Sequence, residues 1–366
     1  MVVRSPGRIN LLGEHTDYNQ GFVLPAAIDK YAYVAIGPRT DNRISLLAVD
    51  LNENFETSIS DIAPVSQTWC NYILGVASQF ARCGLLDKGF NLAVSSEIPA
   101  GAGLSSSAAI SCATAFALNE LLHGGIDRLE LAKFAQAAEH SFAGVQCGIM
   151  DQFASLFGKK DAVIHLDCRS MDYRYIPLKL NGYELLLFNS GVKHSLASTA
   201  YNDRRRECEE GVRLIARCYP EVKSLRDATP AQVDECVSGY EIVHRRCRYV
   251  VEENIRVLLA CDDLQTGNLR AFGQRMTQTH IGLQHQYEVS CRETDFLVAK
   301  AISTEGVAGA RMMGGGFGGC TLNLVQANAA ERLIDKLKSE YARFTGKDLA
   351  CYRVSTVNGT EVAQKT

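Results

Sequence analysis

Short apolar runs of strand length punctuate the first sixty residues. Val2–Val3, Phe22–Leu24, Tyr31–Gly37, Ile44–Val49 and Phe55–Ile59 read as strands or strand ends, separated by polar and glycine-rich stretches. Helical spacing follows over Trp69–Phe80, then a further strand over Phe90–Val94. The Ala-rich run Ala108–Leu122 has strong helix propensity. Asp127 and Glu130 are spaced as a capping box ahead of a helix over Arg128–Phe142, whose apolar positions include Leu129, Leu131, Ala132, Ala135 and Ala138. Gly148 and Gly158 bracket a short amphipathic helix.

Strands are expected again at Ala162–Leu166, Tyr173–Leu178 and Tyr183–Phe188, with passage into a second domain near residue 180. The pattern then turns helical over Ser195–Tyr219, Pro230–Val237, Glu241–Cys261, Asn268–His280 and Cys291–Ile302. Ala310–Met313 and Cys320–Val325 read as strands joined by the glycine turn Gly314–Gly319. A helix over Ala329–Phe344 and a strand over Cys351–Val357 follow. Arg204–Arg206, followed by Glu207, Glu209 and Glu210, reads as a salt-bridged helix face.

Three stretches carry candidate chemistry. The first, Ser5–Pro25, sets Arg8, Glu14, His15 and Asp17 within ten residues, among glycines. It reads either as a ligand loop or as a solvated hairpin tip. The second, Ile98–Ile110 (IPAGAGLSSSAAI), follows a strand and opens a helix. The unpaired N–H groups of a helix start attract anions, and Gly101 and Gly103 let the backbone approach one closely. Ser105 or Ser106 is placed to cap the helix, and Ser107 to ligate Mg²⁺ by analogy with a P-loop hydroxyl. No GxxxxGK[ST] is present, and Ser stands where a dinucleotide fingerprint has its third glycine. Alone, the stretch is equally a turn and a cap. The third, GGGFGG, sets five glycines around Phe317 and points to close backbone approach. Asp151, in the first turn of its helix, reads either as an ordinary N-terminal acid or as a functional carboxylate. Trp69 reads first as a core residue.

Composition narrows the class. The 366 residues are 46% hydrophobic and 22% charged, a globular balance with room for two domains. A net charge of −3 argues against a basic nucleic-acid surface. No apolar run has the length of a membrane helix. Thirteen cysteines form no CxxC pair, and their odd number, with no signal peptide, points to reduced thiols in the cytoplasm. Cys112, Cys147 and Cys320 read as packing residues.

Taken together and in order, GRINLLGEHTDYNQGFVLP, PAGAGLSSSAA and RMMGGGFGGCTL resemble the three signature motifs of the GHMP small-molecule kinases. The first resembles galactokinases in particular. The similarity extends through AEHSFAGVQCGIMDQFAS, HLDCRS and HSLASTAYNDRRRECEE, and so covers the whole chain. Galactokinases usually carry a helical segment ahead of the first motif, which here opens at Ser5.

The resemblance implies two α+β domains, 1–180 and 181–366, with the active site in the cleft between them. It implies ATP-dependent phosphorylation of the anomeric hydroxyl of galactose, with Mg²⁺. Charge and the lack of a long apolar run lead us to expect no nucleic-acid or membrane partner, and a monomer is expected. By the same resemblance, Asp151 is the catalytic carboxylate and Arg8 sits beside the reacting hydroxyl. Glu14, His15, Thr16, Asp17, Gly148 and Tyr201 bind sugar. Gly101, Ala102, Gly103, Leu104, Ser105, Ser106 and Ser107 wrap the phosphates, with Trp69 and Ala48 near the adenine. Ser107 and Glu139 hold the metal. Two alternatives stay open: an N-acetylgalactosamine kinase, and a catalytically inactive sugar sensor.

Overall fold

A computed structural model describes residues 1–99, 101–192 and 197–365. The chain runs β1 (Val2–Asn10), β2 (Phe22–Val23), β3 (Pro25–Pro38), β4 (Arg43–Ala48), β5 (Glu53–Ser58), α1 (Thr68–Arg82), β6 (Phe90–Ser96), α2 (Ser106–Leu121), α3 (Arg128–Ala138) and α4 (Met150–Phe157). It continues through β7 (Ala162–Asp167), β8 (Tyr173–Pro177), β9 (Tyr183–Asn189), α5 (Ala197–Cys218), α6 (Pro230–Val237), α7 (Glu241–Gln265), α8 (Leu269–His285) and α9 (Arg292–Ile302). It ends with β10 (Val307–Met312), β11 (Cys320–Gln326), α10 (Ala330–Thr345), β12 (Ala350–Val354) and β13 (Glu361–Gln364). The expected start of the fifth helix at Ser195 lies outside the described residues.

The described residues form three sheets. The first has the order β13-β1-β3-β6-β4-β5, the second β10-β11-β9-β12, and the third β2-β7-β8. Among the described residues only β4 and β6 pair in parallel. In β4, buried and more exposed positions alternate, as a sheet with one covered face requires. Its buried Ile44 and Leu46 join Val34, Phe90, Ile73, Phe80 and Leu131 in a core beneath α1 and α3. In β11, by contrast, Cys320–Val325 are all buried, since helices and loops cover both faces. A second core bridges the halves of the chain, with Ile9 and Leu24 against Val257, Phe272 and Leu322.

The Ala-rich run forms α2, which is buried around its whole circumference at Ala108, Ala109, Ser111, Cys112, Ala113, Thr114 and Ala115. Small side chains let it pass between β1, β3 and the neighbouring helices. Two expectations change. The helix from Arg128 keeps α-geometry only to Ala138, then widens into a π-turn over Glu139–Ala143 that closes on left-handed Gly144. The strand expected over Cys351–Val357 stops at Val354, and β13 follows, antiparallel to β1. Asp127 caps α3 by accepting from Leu129 and Glu130 N–H, whereas the Glu130 side chain pairs with Lys133 instead of closing the box.

Candidate active site

The glycine–serine loop delivers α2 with its first turn uncapped. Ser105 occupies the N-cap position with φ 61° and makes no capping bond. Its Oγ donates instead to Asp151 Oδ2 at 2.5 Å. The expected serine cap is therefore absent, because a carboxylate is a stronger acceptor than the helix offers and the left-handed backbone turns the hydroxyl toward it. The early N–H groups of α2 stay free of side chains, as an anion site requires. Gly101, Gly103, Leu104, Ser105, Ser106 and Ser107 line a cavity of about 320 Å³ there, together with Arg8 and Asp151. Ala102 does not line it. It is buried, and its carbonyl accepts from Cys320 N–H at 3.1 Å.

A second cavity of about 330 Å³ adjoins the first and shares Arg8, Ser107, Asp151 and Gly315 with it. Arg8, on β1, is 4% exposed. Its Nε donates to Asp151 Oδ1 at 2.8 Å and its Nη2 to Oδ2 at 3.0 Å, a bidentate pair. Its Nη1 donates to the Gly103 carbonyl at 2.6 Å, so one guanidinium fixes both the carboxylate and the phosphate loop. Glu139 projects from the π-turn beyond α3 and is buried. It accepts from Gln152 Nε2 at 2.7 Å and from Ser107 Oγ at 3.4 Å. Burial, and next the charge of Asp151, push its carboxyl up to about 7.

Glu14, His15, Asp17, Gly148 and Tyr201 line the second cavity. Glu14 Oε1 is occupied by Gly314 N–H at 2.8 Å and Arg311 Nη2 at 2.7 Å. Burial, then the Asp151 charge, raise the Asp17 carboxyl to about 7. Gly148 is required by that carboxyl, because a Cβ there would stand 1.9 Å from Asp17 Oδ2. Burial, and next the cation of Arg204, lower His15 to about 3, so its ring is neutral. Thr16 does not line the cavity. Its hydroxyl donates to the Gly13 and Phe22 carbonyls at 2.8 and 2.6 Å and so shapes the loop from behind.

The model of the GHMP kinases N terminal domain matches residues 71–159, and that of the C terminal domain residues 260–343. The galactokinase galactose-binding signature matches residues 1–38. A galactokinase of Thermotoga petrophila is 41% identical over 361 residues, 99% of each chain. One of Roseiflexus is 41% identical over 96% of this chain and 90% of its own. The chain belongs to the galactokinase family. A solved galactokinase of Lactococcus lactis, complexed with galactose, superposes with a TM-score of 0.95 at 33% identity, over 99% of this chain and 94% of that one. A mevalonate kinase structure matches at a TM-score of 0.66 and 20% identity and shares the fold alone.

In this member of the galactokinase family, the loop of the first signature is held largely by residues far downstream. Fully buried Arg311 on β10 donates from Nη1 to the Asn10 and Leu11 carbonyls at 3.0 and 2.9 Å. From α7, Glu253 accepts from Gly13 N–H and Asn254 from Phe22 N–H, each at 2.8 Å, while Tyr249 OH donates to the Glu14 carbonyl at 3.1 Å. None of these stood out in the sequence. A buried charge within a helix or strand gives no local signal, although Arg311 does open the third motif. Tyr72, Val145, Met150 and Cys147 also line the second cavity, so Cys147 is more than packing. Arg204 pairs with Glu207 and Arg205 with Glu209, as the salt-bridged helix face predicts, whereas Arg206 pairs with Asp203; the Arg204 guanidinium also donates to the Tyr287 and Glu288 carbonyls.

Trp69 and Ala48 line neither cavity. Trp69 Nε1 donates to Glu53 at 2.8 Å, and Glu53 faces Ala48 across the β4–β5 pair. Just beyond Ala48, Asp50 accepts from Ser95 Oγ and Ser96 N–H. Ser96 Oγ lies 3.5 Å from Ser106 Oγ, which connects this edge to the phosphate loop.

Proposed function

We infer that the chain transfers the γ-phosphoryl group of ATP to the C1 hydroxyl of galactose, giving galactose 1-phosphate and ADP. One observation carries this reading. The Arg8–Asp151 pair stands where the uncapped, anion-attracting loop meets the polar cavity, and it lines both. A hydroxyl held in the second cavity faces phosphate held in the first across these two side chains. Asp151 accepts the hydroxyl proton as the oxygen attacks phosphorus. Arg8 holds the Asp151 carboxylate through its bidentate pair and stabilises charge on the transferring group. In a loose transition state positioning carries much of the rate, and the three donors on Asp151 hold it in place. Glu14, His15, Asp17 and Tyr201 bind the sugar, with Gly148 leaving room for the Asp17 carboxyl.

The site fits Mg²⁺ bound with ATP. Ser107 and Glu139 are hard oxygen ligands side by side, and Glu139 makes no salt bridge among the described residues. No cluster of three or more His, Cys, Asp or Glu side chains gathers there among the described residues, and Ser107 and Glu139 would hold the ion together with oxygens of the bound nucleotide and water. The ion neutralises phosphate charge when bound. We read the protein as a monomer, and its thirteen free cysteines favour the reducing cytoplasm; no described helix is long and apolar enough to cross a membrane.

The test is ADP release by the purified chain with galactose, glucose, N-acetylgalactosamine and mevalonate in parallel. Galactose should have the highest kcat/KM, with glucose far below, because buried groups that pair with one hydroxyl are left unpaired by its epimer. Equal rates with glucose would refute the reading. N-acetylgalactosamine as best substrate would select the related kinase, and no turnover the sensor.

A further inference from the structure

Behind the sugar cavity, a line of hydroxyls leads inward from His15. Nδ1 of His15 lies 2.8 Å from Tyr18 OH, Tyr18 OH lies 2.8 Å from Tyr287 OH, and Tyr287 OH lies 3.2 Å from Cys208 Sγ. The far ring nitrogen, Nε2, is buried in a residue that lines the cavity and makes no hydrogen bond of good geometry, although the Gly315 backbone lies close to the ring. His15 itself has φ 63° and is 3% exposed. Its ring packs 4.8 Å from that of Tyr287 and 5.3 Å from that of Tyr201, so it cannot turn to exchange its nitrogens without dismantling the cluster. The Asn19 amide holds the His15 carbonyl at 2.8 Å.

We propose that this relay sets the tautomer of His15, with every proton pointing toward the ring, so that Nε2–H faces the sugar as a donor. The inference rests on His15 being a sugar-binding residue, as read above. Each hydroxyl gives one proton, so a line that leaves no hydroxyl proton unpaired has only two polarities. Running inward to outward, Cys208 S–H donates to Tyr287, Tyr287 O–H to Tyr18, and Tyr18 O–H to Nδ1. The proton of the neutral imidazole then sits on Nε2. Running the other way, Nδ1–H donates to Tyr18 and the last phenol is left donating to sulfur, a weak acceptor. The first polarity joins the best donor in the line, a phenol, to its best acceptor, an imidazole nitrogen. The second gives that bond up. The ring is neutral in either case, since burial and Arg204 disfavour a second proton. Tyr18 and Tyr287 are therefore positioning residues: they decide whether the cavity wall offers a sugar oxygen a donor or an acceptor.

The deciding measurement uses the intact, ligand-free protein. Long-range ¹H–¹⁵N correlation spectra of histidine-labelled protein, with His15 assigned by its loss in His15→Gln, report which ring nitrogen bears the proton. The expected result is the Nε2–H tautomer alone, and a resident Nδ1–H tautomer would overturn the proposal without reference to any substrate. Tyr18→Phe should mix the tautomers and lower kcat/KM for galactose by about tenfold, the scale of one hydrogen bond, with kcat nearly unchanged. Cys208→Ala, which removes only the weakest donor, should leave the tautomer as it is. If Tyr18→Phe folds and keeps a pure Nε2–H signal, the relay does not set it. Deoxy- and deoxyfluoro-galactoses test the site reading separately. At the hydroxyl that His15 contacts, fluorine should bind better than hydrogen. No such position in the series, with the tautomer confirmed, would remove His15 from sugar recognition instead.

Discussion

Replacing Asp151 by Asn changes one atom at the junction of the two cavities. The native carboxylate receives Arg8 Nε at 2.8 Å, Arg8 Nη2 at 3.0 Å and Ser105 Oγ at 2.5 Å. An amide in the same place keeps one acceptor oxygen and must turn its NH₂ toward a donor on the other side. At least one bond is lost, along with the charge opposite a buried guanidinium. Breaking a buried ion pair costs about 3–5 kcal/mol, but Glu14 and Asp17 also face Arg8, so we expect about 1–3 kcal/mol of destabilisation. The variant should unfold at lower temperature yet fold, and should still bind a fluorescent ATP analogue. Turnover should fall at least about 10²-fold, or about 2.7 kcal/mol of transition-state stabilisation. The KM for galactose should move less, since Glu14, His15 and Asp17 remain. Coupled ADP-release assays on Asp151→Asn, Arg8→Ala and the double variant complete the cycle. The double should lose much less than the product of the singles, because the pair acts as a unit. A folded Asp151→Asn protein turning over within a few-fold of the parent would remove Asp151 from the chemistry.

Four further outcomes are open to measurement. Gly148→Ala forces the Asp17 carboxyl back by about 1 Å, which should raise the galactose KM tenfold or more; an unchanged KM would show that Asp17 is not held against the sugar. Ser107→Ala and Glu139→Gln should each raise the Mg²⁺ needed for half-maximal rate more than they raise the galactose KM, and normal Mg²⁺ titrations in both would rule out the metal assignment. Asp17, held up at about 7 against an ordinary value near 4, keeps in the fold a proton that the unfolded chain releases, so its stabilising contribution is complete below about pH 4 and lost as pH rises through 7. Asp17→Asn escapes that loss, and its thermal midpoint relative to the parent should climb between pH 5 and 8; a flat difference would contradict the shift. Arg311→Met strips donors from the Asn10 and Leu11 carbonyls and frees Glu14, so it should destabilise by about 3 kcal/mol or more and weaken galactose binding, as read by unfolding and by KM.

Much of this was legible in the chain because it is local. Periodicity finds α1, α4 and β4, and the glycine–serine stretch marks a turn into a helix that reads as an anion loop only beside the other two motifs. What escaped is non-local. Nothing near Ser105 says that its hydroxyl belongs to Asp151, or near Thr16 that its hydroxyl is spent on two carbonyls. Glu139 is a ligand candidate in the sequence by resemblance alone, and the π-turn, with its burial against Ser107 and Gln152, supplies the physical reason. β13 is four residues long and mixed in pattern, and pairing with β1 alone makes it a strand.

The backbone lock at Ala102–Gly103 also bears on the order in which the chain takes shape. Cys320 N–H bonds the Ala102 carbonyl, and a Cβ on Gly314 or Gly319 would come within 3.2–3.3 Å of this loop's carbonyls. These contacts join segments far apart in sequence, so they close late and at a high cost in loop entropy. The apolar core shared by residues 3–168 can collapse while the phosphate loop still lacks one wall. Nucleotide affinity should therefore emerge as one of the last events of refolding, after the helical signal has recovered.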